Sequence, residues 1–262
     1  CTEQRLKERE ESAESGRLYR ELFVRHWDVW DDGRRSHLFS MREGDEAPVD
    51  LMGEMEADTP SQPFGGREEI TVSPDGRQVV FTAKDADGSK EAWSTDWDLY
   101  AVPADGSSSP RCLTEANEAW DTEPRFSPDG QQLLYLAMER PGFESDRFRI
   151  MQMSWPDGRP REVAPDWDRS PHSPVWSANG SRVFVTAGHL GQTALFSVAI
   201  DSGEVRVLVE EGTVSSPNLA GDRLIFTYDH LRSPAELHSV PASGGSLTKL
   251  TGMNDKLLED VR

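Results

Sequence analysis

The chain has 262 residues, 35% of them hydrophobic, with 8 Trp and 10 Phe, which is enough apolar and aromatic mass to bury a core and too much for a disordered tail. Its 47 acidic groups against 28 basic ones give a formal net charge of -19, a field that repels phosphate backbones and excludes nucleic acid as a partner. Cys1 and Cys112 are the sole cysteines, too few for a disulfide framework and without zinc-site spacing, and no apolar run approaches the ~20 residues that cross a bilayer, so no membrane partner is expected.

The opening Cys1-Thr2-Glu3-Gln4-Arg5 does not read as a signal peptide, and its lack of Met suggests an internal fragment rather than a lipoprotein's mature end. Residues 1–22, without proline and rich in Glu and Arg, suggest an exposed helical linker. Stretches at 23–30, 36–41 and 47–52 read as the last three strands of a partial blade over 23–52, and 53–67, carrying Pro60, Pro63, Gly65 and Gly66, reads as a loop. From there one motif recurs: Ser73-Pro74-Asp75-Gly76, Ser127-Pro128-Asp129-Gly130, the variant Ser177-Ala178-Asn179-Gly180, and a weaker Asn218-Leu219-Ala220-Gly221-Asp222. The spacing, roughly 40 to 55 residues, is the length of a four-stranded propeller blade.

Each motif has a turn's logic: proline fixes the first corner, Asp or Asn bonds back to nearby backbone, and Gly supplies the positive φ. A short strand precedes each of the first three (69–72, 123–126, 174–176) and an apolar run follows, as in Val79-Val80-Phe81, Leu133-Leu134-Tyr135 and Val183-Phe184-Val185. Such runs suit strands buried on both faces. Third strands at 98–102, 149–153, 195–198 and 236–240 end in turns, and outer strands follow at 111–114, 162–164, 205–208 and 247–251. The fold class predicted is all-β, a β-propeller of about four complete blades plus part of a fifth. The blades fall at 68–115, 116–165, 166–212 and 213–253, with 254–262 as a connector.

No Gly-x-Ser-x-Gly elbow, His-Glu-x-x-His, Walker loop or dinucleotide fingerprint occurs, so neither catalytic residues nor a cofactor nor a metal site is expected. Asp85-Ala86-Asp87-Gly88 imitates the start of a calcium loop, lacks the later ligands, and reads as a hairpin turn. Two second-to-third strand connections are unusually long, 84–98 and 139–148. They supply the candidate substrate-binding residues: Trp93, Asp96 and Trp97 from the first, Arg140, Phe143, Glu144, Asp146 and Arg147 from the second. A carboxylate there would hold a free ammonium and an arginine a carbonyl or carboxylate; the alternative is that these charges pair locally and fix the loops. His26 reads as structural, and Trp27, Trp30, Trp120 and Trp176 as core.

The Ser-Pro-Asp-Gly repeats, Leu22-Phe23-Val24-Arg25-His26-Trp27-Asp28-Val29-Trp30, Ala92-Trp93-Ser94-Thr95-Asp96-Trp97-Asp98-Leu99-Tyr100 and Arg140-Pro141-Gly142-Phe143-Glu144-Ser145-Asp146-Arg147-Phe148-Arg149 together resemble the propeller of bacterial prolyl oligopeptidase-family peptidases, in the dipeptidyl peptidase 5 and acylaminoacyl-peptidase branch. The resemblance implies a serine exopeptidase whose Ser, Asp, His triad lies in a C-terminal α/β-hydrolase domain absent here, with a propeller that gates the site and helps select short peptides. The partners implied are those peptides and the cognate hydrolase domain. Self-association through open blade edges is expected of an incomplete ring, and the family suggests a periplasmic or cytoplasmic location. The alternative reading is a free-standing Tol-Pal-like scaffold that binds proteins.

Overall fold

The computed structural model describes residues 2–259 apart from 17, 20, 21, 27, 63 and 87. Trp27, expected in the core, therefore lies outside the described residues, as do Cys1 and the last three positions of the connector.

Helix α1 is Thr2–Glu11, shorter than the segment expected over 1–22, and four two-residue strands follow: β1 Arg25–His26, β2 Val29–Trp30, β3 Phe39–Ser40 and β4 Val49–Asp50. Among the described residues they pair as β1 with β2 and β3 with β4. Trp30 is half exposed, contrary to its assignment to the core. Among the described residues its two-residue ladder pairs with no further strand, and its ring stacks on Tyr19 at 5.9 Å between centroids.

The regular part begins with β5 Ile70–Val72 and β6 Gln78–Ala83; the short helix α2 Gly88–Glu91 follows, then β7 Asp98–Pro103 and β8 Arg111–Cys112. Of the expected hairpin turn, Asp85 and Ala86 lie in no regular element, Gly88 opens α2, and Asp87 lies outside the described residues. The second sheet holds β9 Asp121–Phe126, β10 Gln132–Ala137, β11 Arg149–Ser154 and β12 Arg161–Glu162. The third holds β13 Pro171–Trp176, β14 Arg182–His189, β15 Gln192–Ala199 and β16 Val205–Val209, and the last β17 Thr213–Ala220, β18 Arg223–His230, β19 Ser233–Pro241 and β20 Thr248–Lys249. All four are antiparallel meanders. A single parallel contact, Thr193 with Thr213, joins the last two.

The turn motif is built three times from the same bonds. Ser73 Oγ donates to Asp75 Oδ1 at 2.6 Å and accepts from Gln78 N at 2.9 Å; Ser127 repeats this with Asp129 and Gln132 at 2.6 and 2.9 Å, and Ser177 with Asn179 and Arg182 at 2.9 Å each. Gly76, Gly130 and Gly180 take φ values of 72, 70 and 69°, a region that costs a side chain dearly and glycine little.

Stacking explains the continuous apolar runs. Leu133 and Tyr135 pack back onto Val80 and Leu99 of the first sheet, while Leu134 and Leu136 pack forward onto Val183 and Val185 of the third. Phe184 and Leu195 then face Leu224 and Phe226 of the fourth. Successive residues point to opposite faces, so a strand sandwiched between sheets must be apolar at every position. Inner strands also tie neighbouring sheets: Ser173 N donates to Glu123 Oε2 at 2.8 Å and Trp176 Nε1 to Arg125 O at 3.1 Å. Glu123, Ser173 and Ser216 each precede a proline at φ of 50 to 52° and sit where the ladder shifts register, the signature of a β-bulge.

A candidate peptide-facing surface

In the last two sheets the second-to-third connection is a tight hairpin, closing at His189 with Gln192 and His230 with Ser233. In the first two it is a long loop, between β6 and β7 and between β10 and β11. Blade stacking brings these loops together, and Gly142 N donates to Thr95 Oγ1 at 2.7 Å across them.

The first loop folds around a half-buried cation. Lys84 Nζ donates to Glu91 O at 2.8 Å and Ser94 O at 3.2 Å, and lies 4.1 Å over the Trp97 ring. Burial lowers the Lys84 pKa, against the pull of Glu91 and Glu144. Trp97 is buried and stacks on Trp120 at 4.5 Å between centroids, so it supports the loop from beneath, whereas Trp93 is 80% exposed. Asp96 is half-buried, and its Oδ1 has no hydrogen-bond partner among the described residues. Burial first, then the charges of Asp98 and Glu118, push its carboxyl up to about 6.

The second loop closes on itself. Asp146 Oδ1 accepts from Arg140 Nε and Nη2 at 2.9 and 2.8 Å, and Oδ2 from the backbone N of Glu139 and Arg140 at 3.0 and 2.9 Å. Burial would raise the Asp146 carboxyl, but these donors outweigh it and hold the group well below the usual range. Arg140 also lies 4.1 Å over Phe143. Arg147 donates to Trp167 O at 2.9 Å and Glu162 Oε1 at 3.1 Å. Arg140, Asp146 and Arg147 are thus engaged in local pairs, while Trp93, Phe143 and Glu144 are exposed. Glu144 makes no hydrogen bond among the described residues. The arrangement can present an aromatic pair and one carboxylate to a passing peptide.

Three features had no counterpart in the sequence reading. Arg35 donates to Asp58 Oδ2 at 2.9 Å and to Glu91 Oε2 at 2.8 Å, tying the first loop to the leading segment; adjacent Arg34-Arg35 was its sole trace. Asp121 is fully buried, takes Asn117 Nδ2 at 3.0 Å on both oxygens, and is pushed up to about 8 by burial, with Asp98 adding to the rise and Asn117 opposing it. His172 Nδ1 stands 3.6 Å from Glu123 Oε1. Among the described residues no serine hydroxyl bonds a histidine ring nitrogen, and no group of three or more potential metal ligands occurs.

No protein-family model matches the chain. It is 33% identical over 229 residues to dipeptidyl-peptidase 5 of Trichophyton equinum, covering 79% of this chain and 31% of that protein. It is 30% identical over 271 residues to dipeptidyl-peptidase 5 of Arthroderma otae, covering 94% and 37%. The chain therefore spans about a third of the length of these relatives, which are fungal where the sequence resemblance had suggested bacterial ones. Among solved structures, Pyrococcus horikoshii acylaminoacyl peptidase superimposes with a TM-score of 0.68 at 17% identity, over 96% of this chain and 36% of that one. TolB from Acinetobacter baumannii gives 0.54 at 17% identity, over 71% and 43%. At such identities the two structures establish the β-propeller fold alone.

Proposed function

We propose, for a chain that is homologous to the dipeptidyl-peptidase 5 proteins and belongs with the propeller region of the prolyl oligopeptidase class, that it is the propeller of a serine exopeptidase and restricts entry to short peptides. A separate α/β-hydrolase domain would perform the acyl transfer, with a serine nucleophile, a histidine base and an oxyanion hole. The single observation that carries the gating role is the contact of the two long loops through Gly142 N and Thr95 Oγ1. It turns two separate insertions into one surface on the face where second strands meet third strands. A longer peptide would collide with that surface before its scissile bond reached a hydrolase site below it.

Within the surface, Glu144 is the residue we assign to the substrate's free ammonium. Asp146 is saturated by four donors, and Asp96 is half withdrawn into the loop, whereas the Glu144 carboxylate is exposed. A charge-assisted bond to an ammonium favours the ionised, accessible group. The likeness to TolB supports a shared fold and gives no separate reason to prefer a scaffold role.

The test is a chimera in which this chain replaces the matched stretch of the Trichophyton equinum relative. We expect it to release dipeptides from chromogenic dipeptidyl substrates, and Glu144→Gln to lower kcat/KM about tenfold, mostly through KM. An active chimera whose kinetics Glu144→Gln leaves untouched would remove Glu144 as the anchor. A folded but inactive chimera would count against the exopeptidase reading itself.

A further inference from the structure

Asp96 adjoins the junction of the two long loops. It is half-buried, yet its Oδ1 is buried and takes no hydrogen bond among the described residues. The groups around it supply no counter-charge. Asp98 of β7 and Glu118 of the connection into β9 act on it as like charges, and Tyr100 of β7 senses it in turn. Lys84, over the adjoining Trp97 ring, donates to Glu91 O and Ser94 O under the pull of Glu91 and Glu144. In the second loop Arg140 is bound to Asp146, and Arg149 of β11 donates to Met138 O at 3.0 Å. Asp121 of β9 is pushed up to about 8 by burial and so adds no charge in mild acid.

A buried carboxylate oxygen without a donor costs far more ionised than protonated. Burial, then Asp98, then Glu118 push the Asp96 carboxyl up to about 6, above the ~3.9 of an unfolded chain. The folded loop therefore favours the acid form. The stability tied to this group is complete below about pH 4 and is lost as pH rises through about 6.

The chain on either side of Asp96 is held unequally. On the β7 side Trp97 is buried, stacks on Trp120 at 4.5 Å between centroids, and accepts from Asp121 N at its carbonyl at 2.8 Å. On the other side Asp96 N donates to Ser94 Oγ at 3.1 Å, and Thr95 Oγ1 takes Gly142 N at 2.7 Å, the hydrogen bond that joins the two loops among the described residues. An ionised Asp96 regains hydration by turning outward, and the movement falls on the side of Thr95, where the packing is lighter.

We infer that ionisation of Asp96 unlocks the junction of the two long loops, so that the loop surface is fastened in acid and loosened at neutral pH. The junction itself is independent of the peptidase reading; its consequence, that longer peptides enter more readily at neutral pH, rests on the gating role.

Amide hydrogen exchange of the whole chain, read by NMR at Gly142 and corrected for the intrinsic pH dependence of exchange, provides the test. Protection at Gly142 should fall about tenfold between about pH 4 and 7 while amides of β10 and β14 keep theirs. Asp96→Asn, close in shape and unable to ionise, should hold Gly142 at its acid-level protection throughout. Glu118→Gln, at an exposed position, removes one of the like charges and should move the loss of protection to lower pH. Protection at Gly142 that is constant with pH, or that falls equally in Asp96→Asn, would overturn the inference. No turnover is measured, so that outcome leaves the peptidase reading standing.

Discussion

The four sheets between Ile70 and Lys249 and the segment between Arg25 and Asp58 both bury apolar side chains, yet they do so by different means. The sheets are joined by ladders, up to eight paired positions between β14 and β15, and by apolar layers on both faces. The leading segment has ladders of two pairs and is held instead by side chains. Leu51, Met52 and Ala57 pack on Val79, Phe81, Ala83 and Val102, Thr59 Oγ1 donates to Thr82 O at 2.9 Å, and Arg35 bridges Asp58 and Glu91. Among the described residues the leading segment is thus docked on the first sheet more by side chains than by strand pairing.

Paired truncations should break or sharpen this contrast most strongly. Phe184→Ala, between the third and fourth sheets, should cost about 3 to 5 kcal/mol in urea unfolding because a fully buried ring leaves a cavity. Met52→Ala should cost about 2 to 4 kcal/mol, with the loss confined to the leading segment: amides over 36–59 should exchange faster while those of β10 and β14 stay protected. Equal loss of protection in both regions would make the leading segment part of one cooperative array.

A smaller effect concerns acidity inside the regular part. Asp121 at the start of β9 has a folded pKa of about 8, above its ordinary carboxylate value. The folded chain thus holds a proton that the unfolded chain gives up, and the associated stability is complete below about pH 4 and lost as pH rises through about 8. Asp121→Asn removes that titration, so thermal stability should decline less steeply between about pH 5 and 8 than in the unmodified chain. Parallel slopes would show that Asp121 titrates normally.

What the sequence disclosed follows from the range of the interactions. The turns at 73–76, 127–130 and 177–180 were legible because every bond in them spans five residues or fewer, and the sandwiched strands were legible because stacking demands apolar residues at each position. Trp30 was misjudged where stacking had to be assumed: it looks like a core residue in one dimension and is half exposed in three. The long loops could be singled out by length, but their junction at Gly142 and Thr95 joins residues 47 apart and emerges only once blades stack. The Arg35 bridge to Glu91, 56 residues away, is likewise set by packing. For Arg140, Asp146 and Arg147, the choice between substrate groups and local pairs turned on side-chain directions that spacing does not encode.

The gating claim is tested most directly by a substrate-length series in the chimera. Residues 139–148 are shortened to a hairpin like the one at Leu190-Gly191, and kcat/KM is compared for a dipeptidyl chromogen and for longer peptides ending in the same residues. The account predicts that the shortened loop raises turnover of the longer peptides about tenfold or more relative to the dipeptidyl substrate. An unchanged ratio would contradict it.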